Sequence, residues 1–126
     1  MAIVHLAIFE VVNAVEGGYQ SYAGLPHAKL GTSLSVAIAQ AAHDTLVALF
    51  PSQAPSFDAQ LAEDLTTMPE GRLKTNGIAL GKRVASAILA ARANDGSQRS
   101  DPRVGVEFLT SNDPGKWRQD PISQIP

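Results

Sequence analysis

The chain has 126 residues, a net charge of -2 and no cysteine, and 44% of its residues are hydrophobic. This length suffices for one domain with a core. The apolar content excludes wholesale disorder, and the slightly acidic balance lacks the basic footprint of a nucleic-acid binder. The absence of cysteine excludes disulfides, thiolate zinc sites and cysteine nucleophiles, while many alanines and few aromatics favour packed helices over a sheet.

No apolar run approaches the ~20 residues that span a bilayer, so the sequence predicts no transmembrane segment. A signal peptide is not expected, because no Lys or Arg precedes Lys29 and Glu10 interrupts the first apolar run. Helical pattern begins directly after Met1 without a capping residue. Such a start is typical of a domain fragment that begins inside a helix.

Two helices are predicted in the first half of the chain. The first covers 2–15 and is apolar almost all round, which is typical of a central helix; its narrow polar wedge consists of His5, Glu10, Asn13 and Glu16. Gly17 and Gly18 end it. The second runs from a cap at Thr32 or Ser33 to Phe50, before Pro51. Its polar face is predicted to be Ser33, Gln40, His43 and Asp44, and its apolar face Leu34, Ile38, Ala42, Leu46 and Leu49.

Two further helices follow. The third covers 53–66, with Ser52 or Ser56 as its cap and Pro55 in its first turn. Its apolar line is Phe57, Leu61 and Leu65. The fourth is predicted to open with a capping box at 67–70 and to close at 94–96. It carries small residues every four positions, which predicts close approach of another helix; they are Gly77, Gly81 and Ala85.

The last part of the chain, 97–126, has a different pattern. It is rich in turn residues and contains Pro102, Pro114, Pro121 and Pro126. Only 104–109 is a candidate for a short strand. A compact domain does not normally hold so long a stretch without secondary structure. The sequence therefore predicts a helical bundle over 1–96 and an extended arm over 97–126.

The three histidines are the first candidates for chemistry. His43 and Asp44, with Gln40 one turn earlier, have the residue types of an acid–base site or half a metal site. Adjacent helical residues point about 100° apart, so Asp44 is not expected to orient His43, and a structural histidine is favoured. His5 is expected to be a buried, hydrogen-bonded histidine, and His27 receives no role.

Other polar motifs also favour structural roles. The segment 94–97 resembles the start of a calcium loop, but it lacks the later ligands and the closing Glu. Lys82, Arg83 and Arg92 are expected to form a solvated face. The cluster 116–118 holds Trp117 between two cations, which suits an anchor against a partner surface better than a phosphate contact. The residues alone therefore predict no catalytic, cofactor-binding or metal site.

Four segments in order carry a resemblance to a known family. They are 4–14 with Tyr19 and Tyr22 beyond it, 41–51 with its Ala-Ala-His and Leu-Phe-Pro, 90–97 with its Ala-Asn-Asp-Gly-Ser, and 114–118 with its Pro-Gly-Lys-Trp-Arg. Together they resemble the N-terminal helical half of bacterial vanadium-dependent haloperoxidase-like proteins. Those proteins belong with the type-2 phosphatidic acid phosphatases in one all-helical superfamily. The likeness extends over nearly the whole chain.

The resemblance implies an α-helical bundle belonging to an enzyme that binds vanadate or phosphate. In that family the anion is held by a Lys and an Arg-Pro pair, a Pro-Ser-Gly-His stretch and a later Arg and His. This chain has no Ser-Gly-His, and all its histidines precede its first arginine, Arg72. No catalytic, vanadate-binding or metal-binding residue is therefore carried over. The vanadate belongs to the parent family, whose catalytic half would lie beyond Pro126.

The expected function is therefore that of a non-catalytic scaffold segment of a haloperoxidase- or acid phosphatase-like enzyme. Its arm, 97–126, would pack on the catalytic half. Without that half, the bundle is expected to cover apolar surface by forming a homo-oligomer. The alternative is a free-standing helical oligomerisation or interaction module derived from the same family.

Overall fold

The computed structural model describes residues 1–96, 99, 100, 103, 106, 107, 109–116, 118 and 122. These residues form four α-helices, which are α1 (Ala2–Glu16), α2 (Leu34–Leu49), α3 (Ala54–Thr66) and α4 (Arg72–Arg92). A 3₁₀ turn, Pro51–Gln53, joins α2 to α3, and no strand occurs in the described residues. The predicted all-α bundle of four helices is confirmed. The chain divides into two compact units, Met1–Asn94 and Asp95–Pro126.

The central helix of the first unit is α2, which packs against α1, α3 and α4. The prediction that α1 is central is wrong, because α1 packs on α2 and α4 and directs Glu10 and Asn13 toward the loop that follows it. The core lies where α1, α2 and α4 meet and consists of small and medium side chains: Ala7, Val11, Ala14, Ala37, Ala41, Leu80, Val84 and Ile88. Among helices of the described residues, none is both long and apolar enough to cross a membrane.

The closest helix contact joins α2 to α4 at two glycines. A Cβ built on Gly77 would lie 2.9 Å from the Ser33 carbonyl oxygen and from Val36. One built on Gly81 would lie 2.6 Å from the Gln40 Cβ and 2.7 Å from the Ala37 carbonyl oxygen. The strip of small residues on α4 therefore seats α2 directly on the α4 main chain, and the predicted close approach is confirmed.

The deeply buried face of α2 differs from the predicted one. The helix begins as expected at Ser33, whose hydroxyl accepts a hydrogen bond from the Val36 N–H. Its buried residues, however, are Val36, Ala37, Gln40, Ala41 and Thr45. The predicted apolar line is only half-buried, and part of it meets α3. The face was misassigned because α4 offers glycines rather than a recess for large side chains, so the residues against it are small or polar.

The start of α3 follows directly from the 3₁₀ turn. Pro51 ends α2 as predicted, and Pro55 lies in the first turn of α3 as predicted. The predicted caps Ser52 and Ser56 are wrong, because Gln53 occupies the N-cap position and makes no side-chain capping bond. The 3₁₀ turn supplies the entry into the helix in place of a capping side chain.

The predicted capping box of α4 is also wrong. The Thr67 hydroxyl donates to the Asp64 carbonyl at 2.7 Å and thereby finishes α3 instead of starting α4. Gly71, at φ 153°, is the N-cap of α4 and makes no side-chain bond. Glu70 pairs with Lys74 at 2.5 Å, one turn into the helix. A Thr-x-x-Glu spacing is therefore used here for a helix end and an ion pair.

The second unit is described only in part. Val106 and Glu107 lie in a turn, with their N–H groups 3.1 and 2.9 Å from the Arg103 carbonyl oxygen, so these two residues of the predicted 104–109 strand are not extended. Residues 104, 105 and 108 lie outside the described residues. Half of the predicted arm lies outside them in total, including Trp117 and three of its four prolines.

Replacing Gly81 with alanine tests the α2–α4 contact. The added methyl raises helix propensity by about 1 kcal/mol but meets the α2 main chain, and such overpacking typically costs about 1–3 kcal/mol. We expect a net loss of stability in urea unfolding, larger for Gly81→Ala than for Gly77→Ala. Ser86→Ala, on the exposed side of α4, is the matched control and should change stability little. A Gly81→Ala protein as stable as the wild type would contradict this packing.

Candidate functional site

A buried carboxylate on α1 holds the loop that follows the helix. Glu10 is 1% exposed, and its two oxygens accept hydrogen bonds from the Ser21 hydroxyl and the Tyr22 N–H, each at 2.5 Å. The Ser21 hydroxyl in turn accepts from the Leu25 N–H at 2.8 Å. Burying a charge is costly unless strong donors meet it, so these contacts fix both the carboxylate and the loop.

A second buried side chain holds the same loop nearer its start. The Asn13 side chain accepts from the Tyr19 N–H and donates to the Tyr19 carbonyl, both at 3.0 Å. The Ala28 N–H donates to the carbonyl of Ala14 at 2.7 Å, which brings the loop back to the end of α1. Glu10 and Asn13 were recognised in the sequence as a polar wedge. The structure shows that these two residues bind the loop that follows α1.

Aromatic rings of α1 and of the held loop are exposed to solvent. The centroids of Phe9 and Tyr19 lie 6.2 Å apart with the rings tilted by 56°. The Tyr22 hydroxyl lies 3.5 Å from an Arg92 guanidinium nitrogen. Phe9, Tyr19 and Tyr22 are 38%, 77% and 55% exposed, and we call them the aromatic face. Exposed aromatic rings on a fixed backbone are suited to contact with another surface.

The only histidine with a charged network around it in the described residues is His43. Its Nδ1 lies 2.8 Å from Asp44 Oδ1, and its Nε2 lies 2.8 Å from Asp58 Oδ1 on α3. Gln40 donates to the same Asp44 oxygen at 2.7 Å. The prediction that Asp44 does not orient His43 is therefore wrong. Nδ1 lies close to the main chain, so the short side chain of the next residue reaches it despite the ~100° rotation between them.

The two carboxylates control the charge of His43. Partial burial disfavours the imidazolium, but hydrogen bonds and charge attraction from Asp44 and Asp58 outweigh it and raise the pKa of His43 above 6.5. The imidazolium can donate to both carboxylates at once, whereas neutral histidine has one donor. With both ring nitrogens engaged, His43 is suited to an ionic bridge between α2 and α3 rather than to proton abstraction.

Asp58 was missed by the sequence analysis. It lies fifteen positions after His43, on a different helix, so no helical spacing links the two. The packing of α3 against α2 brings them together. The one available signal was indirect, because a short turn between two amphipathic helices predicts an antiparallel pair whose facing polar residues can meet.

Two cations share a small hollow between the 17–33 loop and α4. It measures about 90 Å³, and its lining includes Lys29, Thr32, Asn76 and Arg83. The Thr32 hydroxyl donates to the Lys29 carbonyl at 2.7 Å, and the Asn76 amide donates to the Gly31 carbonyl at 2.9 Å. These polar groups thus hold the loop, while Lys29 and Arg83 are exposed.

The remaining candidate residues are dispersed. His5 is exposed, so its expected burial is wrong; the loop covers Glu10 and Asn13 but leaves the start of the wedge in solvent. His27 is exposed and lies against Gly17. Lys82 and Arg83 are exposed as expected, and Arg92 is half-buried. In the segment 94–97, Gly96 has φ 87° and Ser97 lies outside the described residues.

Among the described residues, no group of three or more His, Asp or Glu side chains could hold a metal ion. His43 is flanked by two carboxylates, which repel an oxyanion. Comparison with known proteins found no matching family model, no similar curated protein and no similar solved structure.

Replacing Glu10 with glutamine tests the loop contact. Glutamine keeps the shape but places an amide N–H₂ against a donor, which leaves a buried group unsatisfied and costs about 1–3 kcal/mol. We expect lower stability in thermal unfolding and faster amide exchange at Tyr22. Glu16→Gln, on the exposed side of the same helix, is the control and should leave both unchanged. Equal behaviour of the two variants would show that the carboxylate does not hold the loop.

Proposed function

We propose that this chain is a non-catalytic helical scaffold segment of a vanadium haloperoxidase- or acid phosphatase-like enzyme. In this proposal the vanadate- or phosphate-binding residues lie in a separate catalytic half, and the helices described here form a wall against which that half packs. The proposal rests on the resemblance in the sequence together with the use that the bundle makes of its polar side chains.

The observation that supports the scaffold role most strongly is where the buried polar groups are directed. Glu10 and Asn13 bind the loop that follows α1, and the buried Thr45 hydroxyl donates to the Ala41 carbonyl in its own helix at 2.8 Å. Every buried side-chain nitrogen and oxygen of the described residues has a hydrogen-bond partner. A ligand site needs polar groups aimed at the ligand, whereas these are aimed at the chain itself.

Reconstitution tests the scaffold proposal. The chain is mixed with the catalytic half of a haloperoxidase-like protein, and vanadate-dependent bromide oxidation is measured. We expect activity from the mixture and none from either part alone. The double variant Phe9→Ser/Tyr19→Ser, which removes two rings of the aromatic face, should weaken the reconstitution several-fold. Leu30→Ser removes another exposed apolar side chain and serves as the control. Activity that does not depend on the chain would contradict the proposal.

Vanadate binding by the chain alone is a separate test. The scaffold role predicts an unchanged ⁵¹V NMR signal when the chain is added to vanadate. The hollow lined by Lys29 and Arg83 is where vanadate binding would be expected if it occurred, because the hollow brings two cations together. Saturable binding that is lost in Lys29→Gln/Arg83→Gln would overturn the proposal.

A second candidate function is that of an oligomerisation or interaction module in its own right. The aromatic face favours it, because three exposed rings on a fixed backbone are suited to pair with a second copy of the same face. Such pairing would cover apolar surface symmetrically and would need no other polypeptide.

Sedimentation velocity tests whether the aromatic face pairs with a second copy. A self-pairing module should show a sedimentation coefficient that rises with concentration, and Phe9→Ser/Tyr19→Ser should abolish the rise. Leu30→Ser should leave it intact. A chain that stays monomeric throughout the concentration range would remove this candidate and would also contradict the homo-oligomer expected of a scaffold segment without its catalytic half.

A further inference from the structure

The helix α3 is attached to the bundle along one side only. It packs mainly on α2 and on the adjoining 3₁₀ turn, and none of its residues is buried. Its apolar line, Phe57, Leu61 and Leu65, is half-buried. A groove of about 500 Å³ opens near its far end, where Asp64 and Thr67 face residues of α2. An element with so little buried surface belongs to the least stable part of a fold.

One charged contact between side chains holds α3 against α2. Among the described residues, the hydrogen bond of His43 Nε2 with Asp58 is the one that joins a side chain of α2 to a side chain of α3. The His43 side chain is 16% exposed, whereas that of Asp58 is 65% exposed. The contact therefore anchors a surface helix to a half-buried ring on the central helix.

We propose that His43 is a proton-controlled clip that fastens α3 to α2 and releases it when the ring becomes neutral. Imidazolium donates to Asp44 and Asp58 together. Neutral histidine donates to one of them and presents a lone pair to the other. Asp44 is adjacent in the chain and is also held by Gln40, so the conflict is relieved by movement of Asp58 and, with it, α3.

The surroundings of His43 determine the direction of the response. Asp44 on its own helix and Asp58 on α3 contact the ring directly. Together with His43, Asp64 on α3 lines a second, smaller groove of about 110 Å³ between α2 and α3. The 3₁₀ turn contributes no charged residue. Among the lining residues of that groove, His43 has the single basic side chain. Loss of its proton therefore leaves carboxylates facing one another with no cation between them.

The pH range follows from the raised pKa of His43. A group whose pKa is higher in the folded protein stabilises the fold fully below its unfolded value, here 6.5, and that contribution is lost as pH rises through the folded value. We therefore expect α3 to be held most firmly below pH 6.5 and to loosen in alkaline solution.

A distance measurement tests the clip. The chain has no cysteine, so spin labels can be placed on Ala59→Cys in α3 and Ser86→Cys in α4, both at exposed positions. We expect a narrow distance distribution at pH 6 and a broader or longer one at pH 9. The fraction of detached α3 should rise about tenfold for each unit by which the folded pKa exceeds 6.5. His43→Gln should abolish the pH dependence, whereas the control His27→Gln should preserve it.

NMR titration of the histidine rings keeps the test decisive if His43→Gln does not fold. In the wild type, the pKa of the His43 ring should lie above 6.5. Asp58→Asn should lower the pKa of His43 and should shift the loosening of α3 to lower pH. Identical distance distributions at pH 6 and pH 9, or a pH response that persists in His43→Gln, would overturn the proposal.

Discussion

The close approach of α2 to α4 is the constraint on which the rest of the fold depends. Because Gly77 and Gly81 carry no side chains, α2 lies directly on the α4 main chain at these two positions. This contact makes α2 the central helix and leaves its other sides for α1 and α3. Small side chains then fill the remaining space where the three helices of the core meet, and the core is correspondingly built from alanine, valine, leucine and isoleucine.

The sequence predicted those features that are encoded locally. The glycine strip, the Ser33 cap and the stop at Pro51 each depend on the conformational preference or size of a few neighbouring residues. The face of α2 that is buried could not be predicted, because it depends on which neighbouring helix leaves space for the α2 side chains. Gln40 is polar and was placed on the outer face, yet it is buried against Gly81. Thr67 and Glu70 had the spacing of a capping box, but α4 begins after both of them, at Arg72.

The polar groups show the same division between local and tertiary information. The narrow wedge on α1 was visible in the sequence, but its use depended on the loop folding back over Glu10 and Asn13. His43 was recognised as a candidate, whereas its partner Asp58 was not, since the two meet only when α3 packs on α2. In both places an ionisable side chain stabilises a particular arrangement of the chain. This pattern is consistent with a scaffold whose surface loop and outer helix are held by charge.

Interhelical nuclear Overhauser effects measure the central contact most directly. We expect strong cross-peaks from the α-protons of Gly77 and Gly81 to the side chains of Val36 and Gln40. Cross-peaks from those glycines to the opposite face of α2, at Ile38 and Leu46, in place of the predicted ones would contradict the central contact, because the arrangement of all four helices described here would then be different.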